Sequence, residues 1–263
     1  MFTANNYVKV KTLEEAWQLN QKRRNKIVGG MLWLKMSKLN FNTIIDLSDL
    51  GLDKIEETDD EFSIGCMVSL RQLELHKGLD EYSNGIVKEA FNRIVGVQFR
   101  NLATVGGSLF LRAGFSDVLT LFMAMDSFVE LYKGGIIPLN EFVSMKPDSD
   151  ILVRLIVKKT PALYTYQASR NASTDFPTLN CAASLSEGII RTVFGARPSK
   201  AIIYEEKFVP SDSDSLDSAA EAFSDRVKEI IHTGSNLRAG APYRSHLVGV
   251  FEKRAYKELG GAK

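Results

Sequence analysis

Apolar positions in this chain switch between a helical and a strand spacing, and the switches mark its elements. Leu13, Ala16 and Trp17 share one face of a helix that Thr12 and Glu15 open as a capping box and that is predicted to end near Lys22. Lys26–Ile27–Val28 reads as a buried strand stopped by Gly29–Gly30, and Thr43 to Leu47 as a β-branched strand. An acid-rich stretch from Asp53 to Glu61 reads as a solvated connection into a strand over 62–66. Ser69 and Gln72 form a second capping box. One helix is predicted over 82–94, with Ile86, Ala90, Phe91 and Ile94 as a core stripe, and Ser116 is placed to cap another from Asp117 to about Met125.

Strand spacing then dominates. Phe128 to Tyr132, the Lys133–Gly134–Gly135 turn and Ile136 to Leu139 predict a hairpin, and Asp150 to Val153 leads into a further strand. Pro161 marks a boundary, followed by strands over 164–169, 179–185 and 189–194. Leu216, Ala219, Ala220, Phe223, Val227, Ile230 and Ile231 repeat at helical spacing. A last helix covers Pro242 to Leu259, and its Gly260–Gly261–Ala262 tail is expected to fray.

Composition narrows the function more than the fold. The 263 residues are 44% hydrophobic and 25% charged, with a formal net charge of +1, so no global field draws the chain to nucleic acid or an anionic membrane. No apolar run is long enough to span a bilayer, and Met1–Phe2–Thr3–Ala4 lacks the regions of a signal peptide; a cytoplasmic protein is expected. Cys66 and Cys181 are too few to hold an iron–sulfur cluster, and His76, His232 and His246 show no metal-ligand spacing. The histidines read as surface or capping residues, and no nucleophile with an oriented base is visible.

The candidate chemistry lies in two glycine pairs. In Thr104–Val105–Gly106–Gly107–Ser108, adjacent glycines permit positive φ and the close approach of an anion, and the two hydroxyls flank them. Arg100 is a candidate cation there, Asp117 a candidate ribose acceptor, and Ser116 opens a helix whose N-terminus favours anions. Gly29–Gly30, directly after a strand, is a second candidate cradle. A plain strand-to-helix turn explains either pair taken alone.

The whole string from Gln98 to Asp117 resembles the RN-x-A-T-x-G-G-N…S-D signature of the FAD-binding subunit of the xanthine dehydrogenase and carbon monoxide dehydrogenase family of molybdenum hydroxylases. The resemblance extends over nearly the whole chain. It implies an α+β fold: a PCMH-type FAD-binding domain of two α/β subdomains over 1–160, then a smaller α+β domain with an antiparallel sheet and helices over 161–263. It implies FAD, with its pyrophosphate between the two loops; neither loop holds a histidine or cysteine that could attach a flavin, so the FAD is expected to be non-covalent. The residues carried over are Ile27, Val28, Gly29, Gly30, Met31, Leu32 and Trp33 on the first loop, and Arg100, Asn101, Thr104, Val105, Gly106, Gly107 and Ser108 on the second. Ser116, Asp117, Leu152, Val153 and Tyr166 complete the set. Two departures stand out. Met31–Leu32–Trp33 replaces a small hydroxyl and an acid, and Tyr166 replaces a lysine in the segment that continues to Arg170 and Asp175.

The resemblance further implies an iron–sulfur small subunit and a molybdenum-binding large subunit as partners, with electrons leaving FAD for NAD or another acceptor. Gln98–Phe99–Arg100–Asn101 and Gln167–Ala168–Ser169–Arg170 are nearer the xanthine dehydrogenase branch, which implies a purine or related N-heterocycle as substrate of the complex. A stand-alone flavin oxidoreductase and a family member that has lost FAD remain the alternatives, the second drawing on the two departures.

Overall fold

The computed structural model describes residues 1–209 and 213–261. Its first strands, β1 (Thr3–Lys9), β2 (Asn25–Val28) and β3 (Asn40–Asp46), form a parallel sheet in the order β1-β3-β2. Parallel neighbours need a crossover, and α1 (Leu13–Asn20) supplies the first. Thr12 caps it, its hydroxyl accepting from the Glu15 N–H at 3.1 Å, and the helix stops at Asn20, short of Lys22. The second crossover, residues 29–39, has no α-helix and starts with the glycine pair.

A five-stranded antiparallel sheet follows: β4 (Ile55–Glu57), β5 (Glu61–Gly65), β6 (Ser127–Leu131), β7 (Gly135–Pro138) and β8 (Leu152–Lys158), ordered β4-β5-β8-β6-β7. The acid-rich stretch is therefore more than a connection. It supplies the edge strand β4, and Glu57 and Glu61 pair with Lys159 and Lys158 beside them. The short helices α2 (Leu70–Leu75), α3 (Lys77–Tyr82), α4 (Ile86–Phe91), α5 (Val97–Leu102), α6 (Val105–Phe110) and α7 (Asp117–Ala124) lie between β5 and β6, and α8 (Leu139–Ser144) follows β7. The single helix expected over 82–94 is broken, because Asn84 and Gly85 take φ of 51° and 85°. Its stripe is still core: Ile86, Ala90 and Phe91 are buried. The Ser69 capping box is present, and His76 caps α3 by accepting from the Leu79 N–H at 3.2 Å.

The remaining strands, β9 (Leu163–Arg170), β10 (Pro177–Ser186), β11 (Ile189–Gly195) and β12 (Ile202–Lys207), form an antiparallel meander. Side chains alternate across it. Tyr166, Ala182 and Val193 face the first core, whereas Leu179, Cys181, Ala183 and Phe194 face a second core under α9 (Ser213–Ile230) and α10 (Ala241–Gly261). Ala220, Phe223, Val227 and Ile231 deliver the predicted stripe of α9. The expected fraying of the tail does not extend to Gly260 and Gly261, which continue α10; Ala262 lies outside the described residues. A Cβ on Gly260 would stand 2.7 Å from the Phe208 ring, so that glycine lets the helix end pack closely.

Two charged groups of α10 are fully buried. Arg244 donates to the carbonyls of Thr178, Gly234 and Ala239 and to Asn236 Oδ1, tying the loop before α10 to β10. Glu252 lies at the sheet face near the Thr192 hydroxyl, with neither carboxyl oxygen in a well-formed hydrogen bond among the described residues, and burial, which outweighs the Thr192 hydroxyl, pushes its pKa up to about 8.

Candidate functional site

Both glycine pairs line one cleft of about 830 Å³, bounded by the loop after β2, the segment from α5 to α7, the start of β8 and the end of β9. That size lies in the range of small-molecule and cofactor sites. The loops touch where the glycines remove side chains. A Cβ on Gly30 would stand 1.9 Å from the Leu102 carbonyl oxygen, and one on Gly29 would stand 2.5 Å from Thr104 Oγ1. One on Gly106 would meet Cys66 at 2.8 Å. Three of the four glycines thus serve the close packing of the loops and the strand end behind them. Gly107 differs: its Cβ would meet only Thr104 Oγ1, at 3.1 Å, and otherwise open space.

Positive φ is not what these glycines supply, contrary to the sequence expectation. None of the four adopts it; the left-handed residue is Met31, with φ of 55°. The two loops also differ in what they leave free. In the second, the Val105 N–H donates to the Val68 carbonyl at 2.9 Å and the Gly106 N–H to the Cys66 carbonyl at 2.8 Å. The Gly107 N–H donates to Thr104 Oγ1 at 3.2 Å, and Ser108 Oγ donates to the Thr104 carbonyl at 2.9 Å. Thr104 therefore caps α6, and the Ser108 proton is already engaged. In the first loop, the N–H groups of Gly30, Met31, Leu32 and Trp33 meet no protein acceptor among the described residues. The loop that departs from the family pattern is the one with open donors, and backbone donors do not depend on side-chain identity.

Ile27, Val28, Gly29, Gly30, Met31, Leu32 and Trp33 all line the cleft, as do Thr104, Gly106, Gly107, Ser108, Ser116, Asp117 and Leu152. Five of the carried-over residues do not. Arg100 is 4% exposed and turns to the buried Glu74, with Nε 2.7 Å from Oε2 and Nη2 3.3 Å from Oε1. Burial works against ionisation of Glu74, but Arg100 and Arg71 outweigh it and hold the carboxyl below its usual range. The expected phosphate cation is thus an internal clamp between α2 and α5, and the cations that line the cleft are Arg23, Lys26 and Arg170. Asn101 is exposed outside the cleft, Val105 belongs to the first core, and Val153 is buried away from the cleft. Tyr166 is buried behind the wall with its hydroxyl on Asp117, so its ring is not a stacking surface.

Arg100→Lys is expected to lower stability by about 1–2 kcal/mol, because one ammonium cannot reproduce the two-point contact with Glu74. FAD affinity should be unchanged. Chemical denaturation and a flavin titration on the same variant check this, and a selective loss of FAD would restore Arg100 to the phosphate site.

The sequence reading missed the aromatic wall. Phe176 lies 5.5 Å from Trp33 and 4.8 Å from Phe115, centroid to centroid, and Phe99 is 6.0 Å from Trp33. All four rings line the cleft. They come from separate segments and follow no period, so only the exposed Trp33 gave a signal. Arg170, noted in the sequence only as part of a motif, also lines it.

Open backbone donors, a glycine facing empty space and flat aromatic walls in one cleft define a nucleotide-cofactor site in an α+β frame. The family model for the FAD-binding domain in molybdopterin dehydrogenase matches residues 2–159. The chain belongs to that family, and its cofactor is FAD. Among curated relatives, the xanthine dehydrogenase FAD-binding subunit of Escherichia coli O157:H7 is 24% identical over 288 residues, covering 98% of this chain and 97% of the relative. Among solved structures, carbon monoxide dehydrogenase from Hydrogenophaga pseudoflava superposes with a TM-score of 0.80 at 21% identity, covering 97% of each chain. Quinoline 2-oxidoreductase from Pseudomonas putida 86 gives 0.81 at 16% identity, covering 99% of this chain and 96% of that one.

Proposed function

We propose that this chain is the FAD-bearing electron-transfer subunit of a xanthine dehydrogenase-like molybdenum hydroxylase complex, passing electrons from an iron–sulfur partner to NAD or another acceptor. The observation that carries the reading is that Gly30 to Trp33, whose N–H groups meet no protein acceptor among the described residues, line the same cleft as Gly107. When bound, FAD supplies the redox chemistry, and the chain supplies position and electrostatics. The Gly30–Trp33 donors would hold the pyrophosphate, and Gly107 leaves space free for it on the second loop. Trp33, Phe115 and Phe176 offer flat faces that shield a ring from water. Leu152 closes the floor at the start of β8. Asp117, paired with Arg170 at 2.9 Å, accepts a hydrogen bond without presenting an unpaired charge to an anionic ligand.

The partners follow from the cysteines. Cys66 and Cys181 are both buried and free, and two cysteines fall short of the four thiolates of a cluster, so electrons would enter from a separate iron–sulfur protein. A stable complex with a small cysteine-rich iron–sulfur subunit and a large molybdenum-binding subunit is the expected result of co-purification from the source cells. Recovery of this chain alone, turning over a dye acceptor with a reduced nicotinamide, would point to the stand-alone oxidoreductase. We propose a purine or related N-heterocycle as the reductant of the complex. Xanthine, hypoxanthine, nicotinate and carbon monoxide, tested in turn on the assembled complex, decide it, and reduction by carbon monoxide alone would overturn it. No helix of the described residues is long and apolar enough to cross a membrane.

A further inference from the structure

Asp117 has more donors around it than a residue at a cleft wall requires. Its Oδ1 accepts the Tyr166 hydroxyl at 2.5 Å and Asn180 Nδ2 at 2.8 Å, and its Oδ2 accepts Arg170 Nη2 at 2.9 Å. Asp117 and Tyr166 are each 6% exposed, Asn180 is fully buried, and the Arg170 side chain is 6% exposed. Asp117 and Arg170 line the cleft, whereas Tyr166 and Asn180 stand behind it. The acid comes from the first turn of α7 and its three donors from β9 and β10, so the network also joins the two halves of the chain.

A carboxylate has about four acceptor sites, two on each oxygen. Tyr166 and Asn180 fill both sites of Oδ1, and Arg170 fills one of Oδ2. One site is left, on the oxygen that Arg170 shares. Burial first, and then the Asp117 charge, hold the Tyr166 hydroxyl well above its usual range, so it keeps its proton and always donates. A lysine at this position would also donate, but it would bring a second cation to the carboxylate. Tyrosine gives the hydrogen bond without the charge.

Resting on the FAD reading above, we propose that Tyr166 is a positioning residue for the cofactor: it completes Oδ1 of Asp117, so that the carboxylate presents one acceptor, on Oδ2, to a single O–H or N–H donor of FAD. Removing that hydroxyl frees a site on Oδ1 and lets the carboxylate turn. It also leaves more negative charge beside the cofactor, which disfavours added electrons.

The test is a flavin titration and a spectroelectrochemical midpoint measurement on the full chain as wild type, Tyr166→Phe and Tyr166→Lys. Tyr166→Phe is expected to raise the FAD dissociation constant about five- to tenfold, the scale of one charge-assisted hydrogen bond, and to shift the midpoint to a more negative value. Tyr166→Lys should recover most of the affinity and shift the midpoint the opposite way. If Tyr166→Phe does not reach the wild-type melting profile, Asn180→Ser, which withdraws the other Oδ1 donor, carries the same expectation. An affinity loss with an unmoved midpoint would make Tyr166 purely structural and overturn the proposal, as would no change in either quantity. A wild-type chain that takes up no FAD would overturn the FAD reading and this inference together.

Discussion

Gly107→Val is expected to weaken FAD binding by roughly 100-fold, about 2.7 kcal/mol, while leaving the chain folded. The other loop glycines cannot give so clean a result. A side chain on Gly30 would overlap the Leu102 carbonyl, and one on Gly106 would press on Cys66, so either substitution tests folding before it tests binding. At Gly107 the new Cβ has only the Thr104 hydroxyl near it, and the backbone of α6 is ordinary right-handed helix that valine accepts. The added atoms enter the cleft and take the space of the ligand. A flavin titration with circular dichroism and thermal melting checks both halves. Full flavin occupancy in a folded Gly107→Val protein would return the second glycine pair to a plain turn.

Glu252→Gln is expected to remove a large pH dependence of stability. The carboxyl of Glu252 is ordinary in the unfolded chain, near 4.5, and is raised to about 8 in the fold by burial. Its sign follows from linkage: the folded state binds the proton more tightly, so the contribution is fully present below about pH 4.5 and is lost as pH rises through 8. Complete ionisation costs on the order of 4–5 kcal/mol at this shift. Burying the charge also raises the neighbouring Cys181 thiol, which burial has already moved well above its usual range. Denaturant midpoints between pH 5 and pH 9 should fall steeply for the wild type and much less for Glu252→Gln. Equal slopes would mean that Glu252 finds a partner when it ionises.

The sequence was most legible where one local rule decided the structure. Thr12, Ser69 and Ser116 cap helices as expected, because a capping side chain needs only its own first turn. The β-hairpin over 128–138 and the α9 stripe also follow from local period alone. The break at Asn84–Gly85 was missed because the apolar stripe runs across it unchanged. In the site, both loops were legible from their glycines, but the reason given for them was incomplete. Their role comes from contacts such as Gly30 with Leu102 and Gly106 with Cys66, which no local window shows. Arg100 failed for the same reason. A basic residue beside a glycine loop suggests a phosphate partner, but Glu74, far away in sequence, holds it instead. Tyr166 looked like a loss when set against the lysine pattern; only the packing shows it donating to Asp117 from behind the wall.

The cleft between Gly30–Trp33 and Gly107 is expected to hold FAD. The most direct measurement is the absorption spectrum of the purified chain, before and after acid precipitation, with titration of added FAD. Flavin bands at one FAD per chain are expected, released intact into the acid supernatant and restored when FAD is added back. A colourless chain that shows no saturable uptake of FAD would contradict it, and flavin that stays on the precipitated protein would contradict its non-covalent form.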